Sequence, residues 1–287
     1  MQIYRLDERC SRCMLCVREC VSGIWRNLDG VPTPVETDLC NRCSHCIAVC
    51  PKGAIVHEGL DASQMVPLKK LKLDPAVYRD IVLSRRSVRQ YKDRPVPREV
   101  IAQVLELARY SPTASNDQNV GFIAVTDRML IRETAAGIFG FADRLAARLE
   151  TGPGRLFMKA TGLTKNRYVR RMGYAREMVA GGRDIILHNA PALILVHGPS
   201  KGSFICDNCN IAATNIVNYA HALGLGTCII GFLTLALRFS RKLRKKLQVP
   251  EGRRVYASIV MGYPAYSHPN TVSRKKADVI WAEKSEQ

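Results

Sequence analysis

Cysteines are the residues of this chain whose spacing most directly indicates chemistry. Eight of the eleven lie within the first 50 residues, in two copies of the spacing Cys-x2-Cys-x2-Cys-x3-Cys. Three thiolates at two-residue intervals allow one short loop to bind three corners of an iron–sulfur cube, while the fourth points away from that loop. The alternative is two structural zinc sites with four cysteines each, but zinc sites usually pair two Cys-x2-Cys knuckles. The spacing therefore favours iron–sulfur clusters over zinc.

This cysteine segment resembles the bacterial two-[4Fe–4S] ferredoxin family over about its whole length. The sequence Cys50-Pro51-Lys52-Gly53 is similar to the family's exit from its second motif, whereas Cys20 is followed by Val21 in place of proline. In that family the fourth cysteine of each motif binds the other cluster. The resemblance therefore implies two [4Fe–4S] clusters, one bound by Cys10, Cys13, Cys16 and Cys50, the other by Cys40, Cys43, Cys46 and Cys20.

A basic string and a polar loop further along the chain could bind a phosphorylated cofactor. The string Arg85-Arg86-Ser87-Val88-Arg89 combines three guanidiniums with a hydroxyl, which suits a phosphate. The alternative is a solvated basic helix end. In the loop 111–119, the amides of Asn116 and Gln118 can both donate and accept hydrogen bonds. That suits a flavin ring edge or ribityl chain, and the alternative is an ordinary polar turn.

Together with the segments that follow, these motifs resemble the FMN-dependent nitroreductase family over residues 74–287. Arg-Arg-Ser-x-Arg followed by Ser-Pro-Thr-x-Ser-Asn-x-Gln is similar to that family's opening. Asn189-Ala190-Pro191, Gly224-Leu225-Gly226 and Gly262-Tyr263-Pro264 then stand in the family's order. The resemblance implies an α+β fold, a homodimer with exchanged terminal arms, and FMN at the dimer interface.

The same resemblance implies which positions contact FMN. They are Arg85, Arg86, Ser87, Arg89, Asn116, Gln118, Ile230, Gly231 and Arg274. The arginines and the serine match ligands of the phosphate and ring edge, and the two amides match ribityl or ring contacts. The backbone of Ile230 and Gly231 matches a position against the ring. We predict no catalytic acid or base, because the flavin itself performs the chemistry.

The remaining cysteines and histidines are expected to have packing roles. Cys206-x2-Cys209 at a helix start suggests redox chemistry, because a helix N-terminus stabilises a thiolate. No thioredoxin-like pattern surrounds the pair, so two small buried thiols are favoured. Cys228 is expected to pack near the flavin. The histidines in or beside apolar segments are expected to be satisfied core or loop residues, namely His188, His197 and His221.

Hydrophobic periodicity predicts the elements that position these residues. A helix should begin at Asp74-Pro75 with Val77, Ile81 and Val82 on one face. Further helices are predicted over 96–108 and 210–223, the last ending at Gly224, and strands over 120–125, 192–197 and 255–261. The predicted fold is α+β: a nitroreductase-like FMN domain with a central, mostly antiparallel sheet flanked by helices, preceded by a small ferredoxin-like 2[4Fe–4S] domain.

Charge divides the chain at the same place as cysteine content. Residues 1–60 contain seven Lys/Arg and seven Asp/Glu, so the whole net charge of +18 arises from residues 61–287. Two compositions in one chain predict two domains. We expect a ferredoxin-like domain over 1–60, a linker over 61–73 that includes the basic run Lys69, Lys70 and Lys72, and an FMN-binding domain over 74–287.

Composition also restricts compartment and partners. The N-terminus has no apolar signal segment, and the longest apolar stretch, 224–237, is shorter than the roughly 18 residues of a spanning helix. We expect a cytoplasmic protein with reduced thiols and no membrane partner. The basic segments 139–183 and 238–254 have few interleaved aromatics, so nucleic acid is not expected. They suit ferredoxin or another acidic electron carrier, or an anionic substrate facing Lys159, Lys165, Arg167, Arg170 and Arg171.

These observations predict an iron–sulfur flavoprotein oxidoreductase. It would pass electrons between two [4Fe–4S] clusters and FMN, and reduce a small acceptor by two electrons: a nitroaromatic, a quinone or an activated alkene. The alternative is an electron-transfer partner protein that docks to another redox enzyme and has no small-molecule substrate of its own. A flavin-remodelling enzyme on the same fold is a third possibility that no particular residue supports.

Overall fold

The computed structural model describes residues 2–65, 68, 74–160 and 171–282, which form two compact units. The cysteine-rich unit contains the described residues before Asp74 together with Pro112–Asn119. The sheet unit contains Asp74–Ser111 and the described residues from Val120 onward. Pro112–Asn119 therefore groups with the cysteine-rich unit, although it lies inside the predicted 74–287 domain. The basic run Lys69, Lys70 and Lys72 lies outside the described residues.

Two short antiparallel pairs and two short helices build the cysteine-rich unit. Strand β1 (Ile3–Arg5) pairs with β4 (Ile55–His57), and β2 (Trp25–Leu28) pairs with β3 (Val31–Pro34). The hairpin turn of the second pair is Asp29-Gly30, with φ of 50° and 75°, as a type I′ turn requires. Helices α1 (Leu15–Glu19) and α2 (His45–Ala48) follow the two cysteine loops. Each helix therefore positions one end of a cysteine motif.

The sheet unit is built on a four-stranded antiparallel sheet. Its strands are β5 (Gly121–Val125), β6 (Ala192–Pro199), β7 (Gly226–Ile229) and β8 (Arg253–Gly262), in the order β5-β6-β8-β7. Ala192, Ile194 and Val196 of β6 pack in one core cluster, and Leu193 and Leu195 pack in the other. Because side chains alternate along a strand, these clusters lie on opposite faces of the sheet. The predicted α+β fold is confirmed.

Helices cover both faces of this sheet. In chain order they are α3 (Pro75–Ser84), α4 (Arg98–Ala108), α5 (Arg128–Leu149), α6 (Gly152–Ala160), α7 (Met172–Ala180), α8 (Ile205–Ala222), α9 (Gly231–Phe239) and α10 (Arg241–Lys246). Helices α4 and α8 contribute to the first core cluster, while α5 and α9 contribute to the second. The described residues include no helix that is long and apolar enough to cross a membrane.

Most predicted elements are present with small shifts at their ends. Helix α3 begins where Asp74 predicts it, because the Asp74 carboxylate accepts the Ala76 backbone N–H at 2.8 Å. Helix α8 begins five residues before the predicted Asn210, after Phe204 in a left-handed conformation. On the predicted apolar face of α3, Ile81 is half-buried, and Val77 and Val82 are exposed.

Candidate functional site

Two loops in the cysteine-rich unit have the same backbone conformation. Arg12 and Arg42 have φ of 53° and 56°, and Met14 and Ser44 have φ of 60° and 61°. Few non-glycine residues adopt this left-handed region, so its recurrence at equivalent positions identifies a repeated loop. In each loop the backbone N–H two residues after the first cysteine donates to that cysteine's sulfur at 3.4 Å. The two motifs therefore present their thiols in the same way.

Each loop contributes three cysteines to one opening and its fourth cysteine to the other. The first opening, of about 340 Å³ with the space at its mouth, is lined by Cys10, Cys13, Cys16 and Cys50. The second opening, of about 360 Å³, is lined by Cys20, Cys40, Cys43 and Cys46. The structure thus groups the thiols as the ferredoxin resemblance implies, and their role as ligands stays a prediction.

Four thiols border each of the two openings. Among the described residues, no three His, Cys, Asp or Glu side chains form a site for a single metal ion, although four thiols border each opening. A cube with an iron at each corner meets four thiolates at wider separations than one tetrahedral ion does. The grouping of three thiols from one loop with one from the other is the arrangement that the ferredoxin resemblance implies for an iron–sulfur cube.

Burial makes uncompensated thiolates costly in these openings. Burial raises the pKa of Cys16, and it raises the pKa of Cys46 to about 11. The exposed Cys13 differs, because a hydrogen bond from the Leu15 backbone lowers its pKa. Buried thiolates persist only beside positive charge. A group that brings iron cations to the sulfurs supplies that charge.

Two ring nitrogens also face the second opening. Within the described residues, His57 Nδ1 accepts the Gly59 N–H at 3.1 Å, so the ring proton lies on Nε2, which is 3.5 Å from Cys40 Sγ. The indole N–H of Trp25 is buried and meets the geometry of a hydrogen bond to no described atom. It lies near Cys46, whose pKa is raised mainly by burial and lowered to a smaller extent by this indole. The indole N–H is therefore a potential donor to the Cys46 sulfur.

In the sheet unit, the predicted phosphate-binding string runs beside β7. The Val88 N–H donates to the Thr227 carbonyl at 2.9 Å, and Ser87 forms a parallel bridge with Thr227. A Cβ at Gly226 would lie 2.6 Å from a Val88 methyl group. Glycine at this position therefore permits the close approach that holds the string extended against β7.

The side chains of the string face a small group of titratable residues. Burial raises the pKa of Cys228, and the nearby Arg89 charge and Ser87 hydroxyl oppose that rise with smaller effects. Arg85 lies near His221, whose pKa is lowered by burial first and then by the nearby cations. Arg85, Ser87 and Arg89 therefore form a positive surface over the edge of β7 at Cys228.

Arg86 differs from its neighbours. Its Nη1 donates to the carbonyls of Leu83 and Arg85, each at 2.7 Å, and its Nη2 donates to the Asn270 carbonyl at 3.1 Å. Its Nε is buried and has no hydrogen-bond partner among the described residues. This guanidinium ties the end of α3 to the segment near Asn270. The geometry favours a structural role and leaves Arg86 out of the ligand set proposed below.

The turn after β7 presents a free helix N-terminus. Ile230 precedes α9 and provides no side-chain cap, while its own N–H donates to the Ser258 carbonyl at 2.7 Å. A Cβ at Gly231 would meet no described atom within 4 Å. The first N–H groups of a helix attract electron-rich groups. An exposed N-terminus beside the basic string therefore fits a flavin ring edge or a phosphate.

The remaining predicted FMN ligands lie in the loop 111–119 and in the exposed segment 265–282. Asn116 and Gln118 belong to the cysteine-rich unit, where Asn116 Nδ2 donates to the Asn41 carbonyl at 3.0 Å. Arg274 lies in the exposed tail, and its Nη1 donates to the adjacent Ser273 carbonyl. No hydrogen bond or ion pair that the structure describes joins Arg274 to the basic string. The role of all three side chains toward FMN stays a prediction.

Two further side chains lie near Arg89. The Tyr91 hydroxyl donates to the Val88 carbonyl at 2.7 Å, and burial raises its pKa. His188 has a φ of 60° in a loop that Asp184 closes, and burial, with Arg89 as a further cause, lowers its pKa. Tyr91 stands two residues after Arg89 in the sequence, whereas His188 reaches Arg89 only through tertiary folding. No spacing signal predicted a role at this site for either residue.

The Cys206–Cys209 pair is partly buried. Cys206 is exposed and accepts from Asn210 Nδ2 at 3.3 Å, so the expectation of two buried thiols is wrong for it. The first turn of α8 points this side chain outward. Cys209 is buried, and burial raises its pKa to about 12, which opposes a reactive thiolate.

The expectation of satisfied histidines is confirmed at two positions. His197 Nδ1 accepts from Arg253 Nε at 2.7 Å, and His221 Nε2 lies 2.7 Å from the Ser84 hydroxyl. Both contacts join elements of the sheet unit. These histidines therefore belong to its packing.

The basic segment 139–183 is described only in part. Lys159 and Arg171 are exposed, and Arg176 pairs with Asp143 and Glu150 at 2.6 and 3.1 Å. The candidate substrate-facing residues Lys165, Arg167 and Arg170 lie outside the described residues. The described part therefore contains both exposed cations and a paired one.

Comparison with known proteins identifies two matching regions. Residues 82–263 match the nitroreductase family, and residues 9–55 match the 4Fe-4S dicluster domain. A 4-nitrobenzoate reductase from Nocardioides sp. is 29% identical over 223 residues, covering 69% of this chain and 86% of the relative. A chloronitrobenzene nitroreductase from Comamonas testosteroni is 25% identical over 205 residues, covering 64% and 85%.

A solved structure matches the fold of the larger region. The crystal structure of a nitroreductase with bound FMN from Bacteroides fragilis superposes with a TM-score of 0.55 and 22% identity. It covers 72% of this chain and 98% of the other. This likeness establishes the fold of the superposed residues.

Proposed function

The chain belongs to the nitroreductase family, and on that premise we propose that it is an FMN-dependent oxidoreductase with two [4Fe–4S] clusters. We propose that it couples the one-electron chemistry of the clusters to the two-electron reduction of a small acceptor. The observation that supports this most strongly is the presence, in one chain, of two four-thiol openings and of a basic string beside a free helix N-terminus. When bound, the clusters supply single-electron carriage and FMN supplies both one- and two-electron chemistry.

The cysteine loops would hold the clusters. The proposed ligands are Cys10, Cys13, Cys16 and Cys50 in the first opening and Cys20, Cys40, Cys43 and Cys46 in the second. Backbone N–H groups already point at several sulfurs, including that of Ala54, which donates to Cys50 at 3.3 Å. Such donors stabilise thiolate charge. Each loop therefore offers both ligands and compensation for their charge.

The sheet unit would hold FMN through the basic string. Arg85 and Arg89 supply charged donors for a phosphate or ring edge, and Ser87 supplies a hydroxyl. Gly231 leaves the N-terminus of α9 open, so its backbone N–H can donate to the ring. Asn116, Gln118 and Arg274 remain proposed contacts on the family resemblance alone.

A nitroaromatic compound is the first acceptor to test. The two relatives described above are named for reducing 4-nitrobenzoate and chloronitrobenzene. Quinones and activated alkenes remain further candidates. Ferredoxin or another acidic carrier is the proposed donor, since α10 places exposed basic residues such as Arg241, Lys242 and Lys245 on the sheet unit.

We further propose a homodimer in the cytoplasm. Residues 265–282 are exposed throughout, and they include the large apolar side chains Ile280 and Trp281. Helix α3 also exposes Val77, Tyr78 and Val82. Burial of such surfaces in a second copy of the chain would stabilise the pair. A reducing compartment is proposed because eight ligand thiols must stay reduced to bind iron.

The FMN site is tested by Arg85→Ala in the full chain. Losing one charged donor should weaken FMN binding by roughly 1.5–3 kcal/mol, measured by flavin fluorescence titration. Arg79→Ala, which removes an exposed arginine of α3, is the matched control and should leave affinity unchanged. Equal FMN affinity in both variants would refute the proposed string site.

Acceptor reduction separates the enzyme from the electron-transfer alternative. Anaerobically reduced holoprotein should be reoxidised rapidly by a panel of nitroaromatics and quinones. Slow reoxidation by every member of the panel, together with fast reoxidation by a redox protein partner, would favour a docking protein without a small-molecule substrate. Iron and sulfide analysis of the same sample should give about eight of each per chain.

A further inference from the structure

The two cysteine openings differ in the donors that border them. The second opening has two buried ring N–H groups on its wall, from Trp25, which exposes 2% of its surface, and from His57, which exposes 5%. His57 Nε2 lies 3.5 Å from Cys40 Sγ and holds the ring proton, because Nδ1 accepts from Gly59. The Trp25 indole N–H lies near Cys46 and is otherwise unpartnered among the described residues.

Three other polar side chains of the second opening form hydrogen bonds or ion pairs away from the sulfurs. Ser44 Oγ donates to the Cys43 carbonyl at 2.6 Å, and Asn41 Oδ1 accepts the Cys43 N–H at 3.3 Å. His45 pairs with Glu19 at 3.2 Å. The Ser22 hydroxyl also borders this opening but is exposed, so the two ring N–H groups are its buried side-chain donors.

The first opening has weaker side-chain donors. Arg5 lies on its wall, but its guanidinium binds the Asp7 carboxylate and the Pro32 carbonyl. Ser11 acts on Cys13, and both residues are exposed, so water competes with that hydroxyl. Trp25 also borders this opening, but its N–H acts on Cys46, which belongs to the second. Backbone donors also reach the first opening, where the buried Ala54 N–H donates to Cys50 Sγ at 3.3 Å. Among side chains, the asymmetry is between buried ring donors and an exposed hydroxyl.

Hydrogen bonds to the sulfurs of a cluster set its reduction potential. Reduction adds negative charge that spreads onto the cysteine sulfurs, and an N–H donor stabilises that charge. A buried donor acts more strongly than an exposed one, because the local dielectric is low and no water replaces it. The cluster whose sulfurs accept the stronger hydrogen bonds is consequently easier to reduce.

We propose that Trp25 and His57 donate to the sulfurs of Cys46 and Cys40 and make the cluster of the second opening the more easily reduced of the two. This inference rests on the proposed function, since it requires a cluster in each opening. Both side chains act through cysteine sulfurs, so they are positioning residues. The local sequences of the two motifs are equivalent in spacing, and the asymmetry arises from residues outside them.

The test is a potentiometric titration of full-length holoprotein followed by EPR, for the wild type and for Trp25→Phe. Phenylalanine keeps an aromatic ring and lacks the N–H. The more positive of the two midpoint potentials should become more negative, so that the two midpoints move closer together. Ile24→Val, which trims an apolar wall residue of the second opening, is the matched control and should leave both midpoints in place.

His57 provides an independent pair of variants. His57→Met removes the ring donor and should also lower the more positive midpoint. His57→Gln places an amide N–H near the position of Nε2 and should restore most of the wild-type value. A shift of the more negative midpoint in place of the positive one, or no shift in variants that retain their iron, would overturn the inference.

Isotope labelling tests the tryptophan without changing the protein core. In Trp281→Phe protein, Trp25 is the one remaining tryptophan, because the chain contains two. Pulsed EPR of the reduced protein with ¹⁵N-labelled tryptophan should detect a coupling between the cluster that reduces first and the indole nitrogen. Absence of that coupling would contradict the proposal. Wild-type iron and sulfide well below about eight per chain would instead refute the two-cluster function itself, and the inference with it.

Discussion

The cysteine-rich unit and the sheet unit stabilise their folds by different means. The buried core of the cysteine-rich unit consists of Ile3, Cys16, Ile24, Trp25 and Ile55, with further cysteines packed around it. The sheet unit has a core cluster on each face of its sheet, and β6 is fully buried from Ala192 to Val196. A domain with so few buried apolar side chains needs a metal or another cross-link to remain folded.

The proposed functional residues of the two units also differ in how close they lie to the hydrophobic core. In the cysteine-rich unit the proposed ligands also border the core, so losing the bound group removes structural contacts. In the sheet unit the basic string lies on the edge of β7, outside the core clusters. Cofactor loss should therefore unfold one unit and leave the other intact.

Iron removal should have the largest effect. Chelation under reducing conditions should unfold the cysteine-rich unit, because its thiols lose the cations that join its two loops. Limited proteolysis should then cleave within residues 2–65 while the sheet unit stays resistant. Cys16→Ser should lower iron by about four per chain, since one cluster loses a ligand.

Cys206→Ser is the control for that prediction, because Cys206 is exposed and lies outside both openings. Its iron content and protease pattern should match the wild type. Iron-free protein that keeps residues 2–65 resistant would show that the small apolar core is sufficient by itself.

A cavity in the sheet unit should have the next largest effect. Leu195 is fully buried in β6, so Leu195→Ala should lower the free energy of unfolding of the sheet unit by about 2–5 kcal/mol. Urea denaturation followed by circular dichroism measures it. Leu235→Ala removes a half-exposed leucine of α9 and should change stability by about 0.5 kcal/mol or less.

The iron content of the Leu195→Ala variant is part of this prediction. It should stay at the wild-type value, because the cysteine-rich unit has its own core. Loss of iron together with sheet stability would mean that the two units unfold as one.

Substitutions within the segment Pro112–Asn119 should have the smallest effect on stability. Asn116→Ala removes the hydrogen bond to the Asn41 carbonyl and should destabilise the cysteine-rich unit by roughly 0.5–1.5 kcal/mol. Gln118→Ala is the matched variant, because the bond of Gln118 that the structure describes is made by its backbone N–H. The family resemblance predicts instead that both variants weaken FMN binding.

Measuring iron release and FMN affinity in both variants decides between these roles. Faster iron release in Asn116→Ala alone supports a structural role within the cysteine-rich unit. Weaker FMN binding in both supports the ligand role. Unchanged values in both variants would contradict the two interpretations together.

Local features of this protein were predictable because they depend on short-range chemistry. The cysteine loops follow from spacing, since three thiols at two-residue intervals leave the chain few ways to reach a common centre. Helix α3 begins at Pro75 because Asp74 caps its first turn. The antiparallel strands follow from continuous apolar runs between turn residues.

The sequence by itself determined the cysteine motifs, the α+β class and the basic string, because these depend on residue order and composition. The two adjacent arginines differ because of tertiary structure. Arg86 donates to three backbone carbonyls, whereas Arg85 lies near His221. Tertiary structure also decided that Trp25 and His57 border the second opening, and that Asn116 contacts Asn41. Such contacts join residues far apart in the chain, and no periodicity or spacing reports on them, because they depend on how whole elements pack.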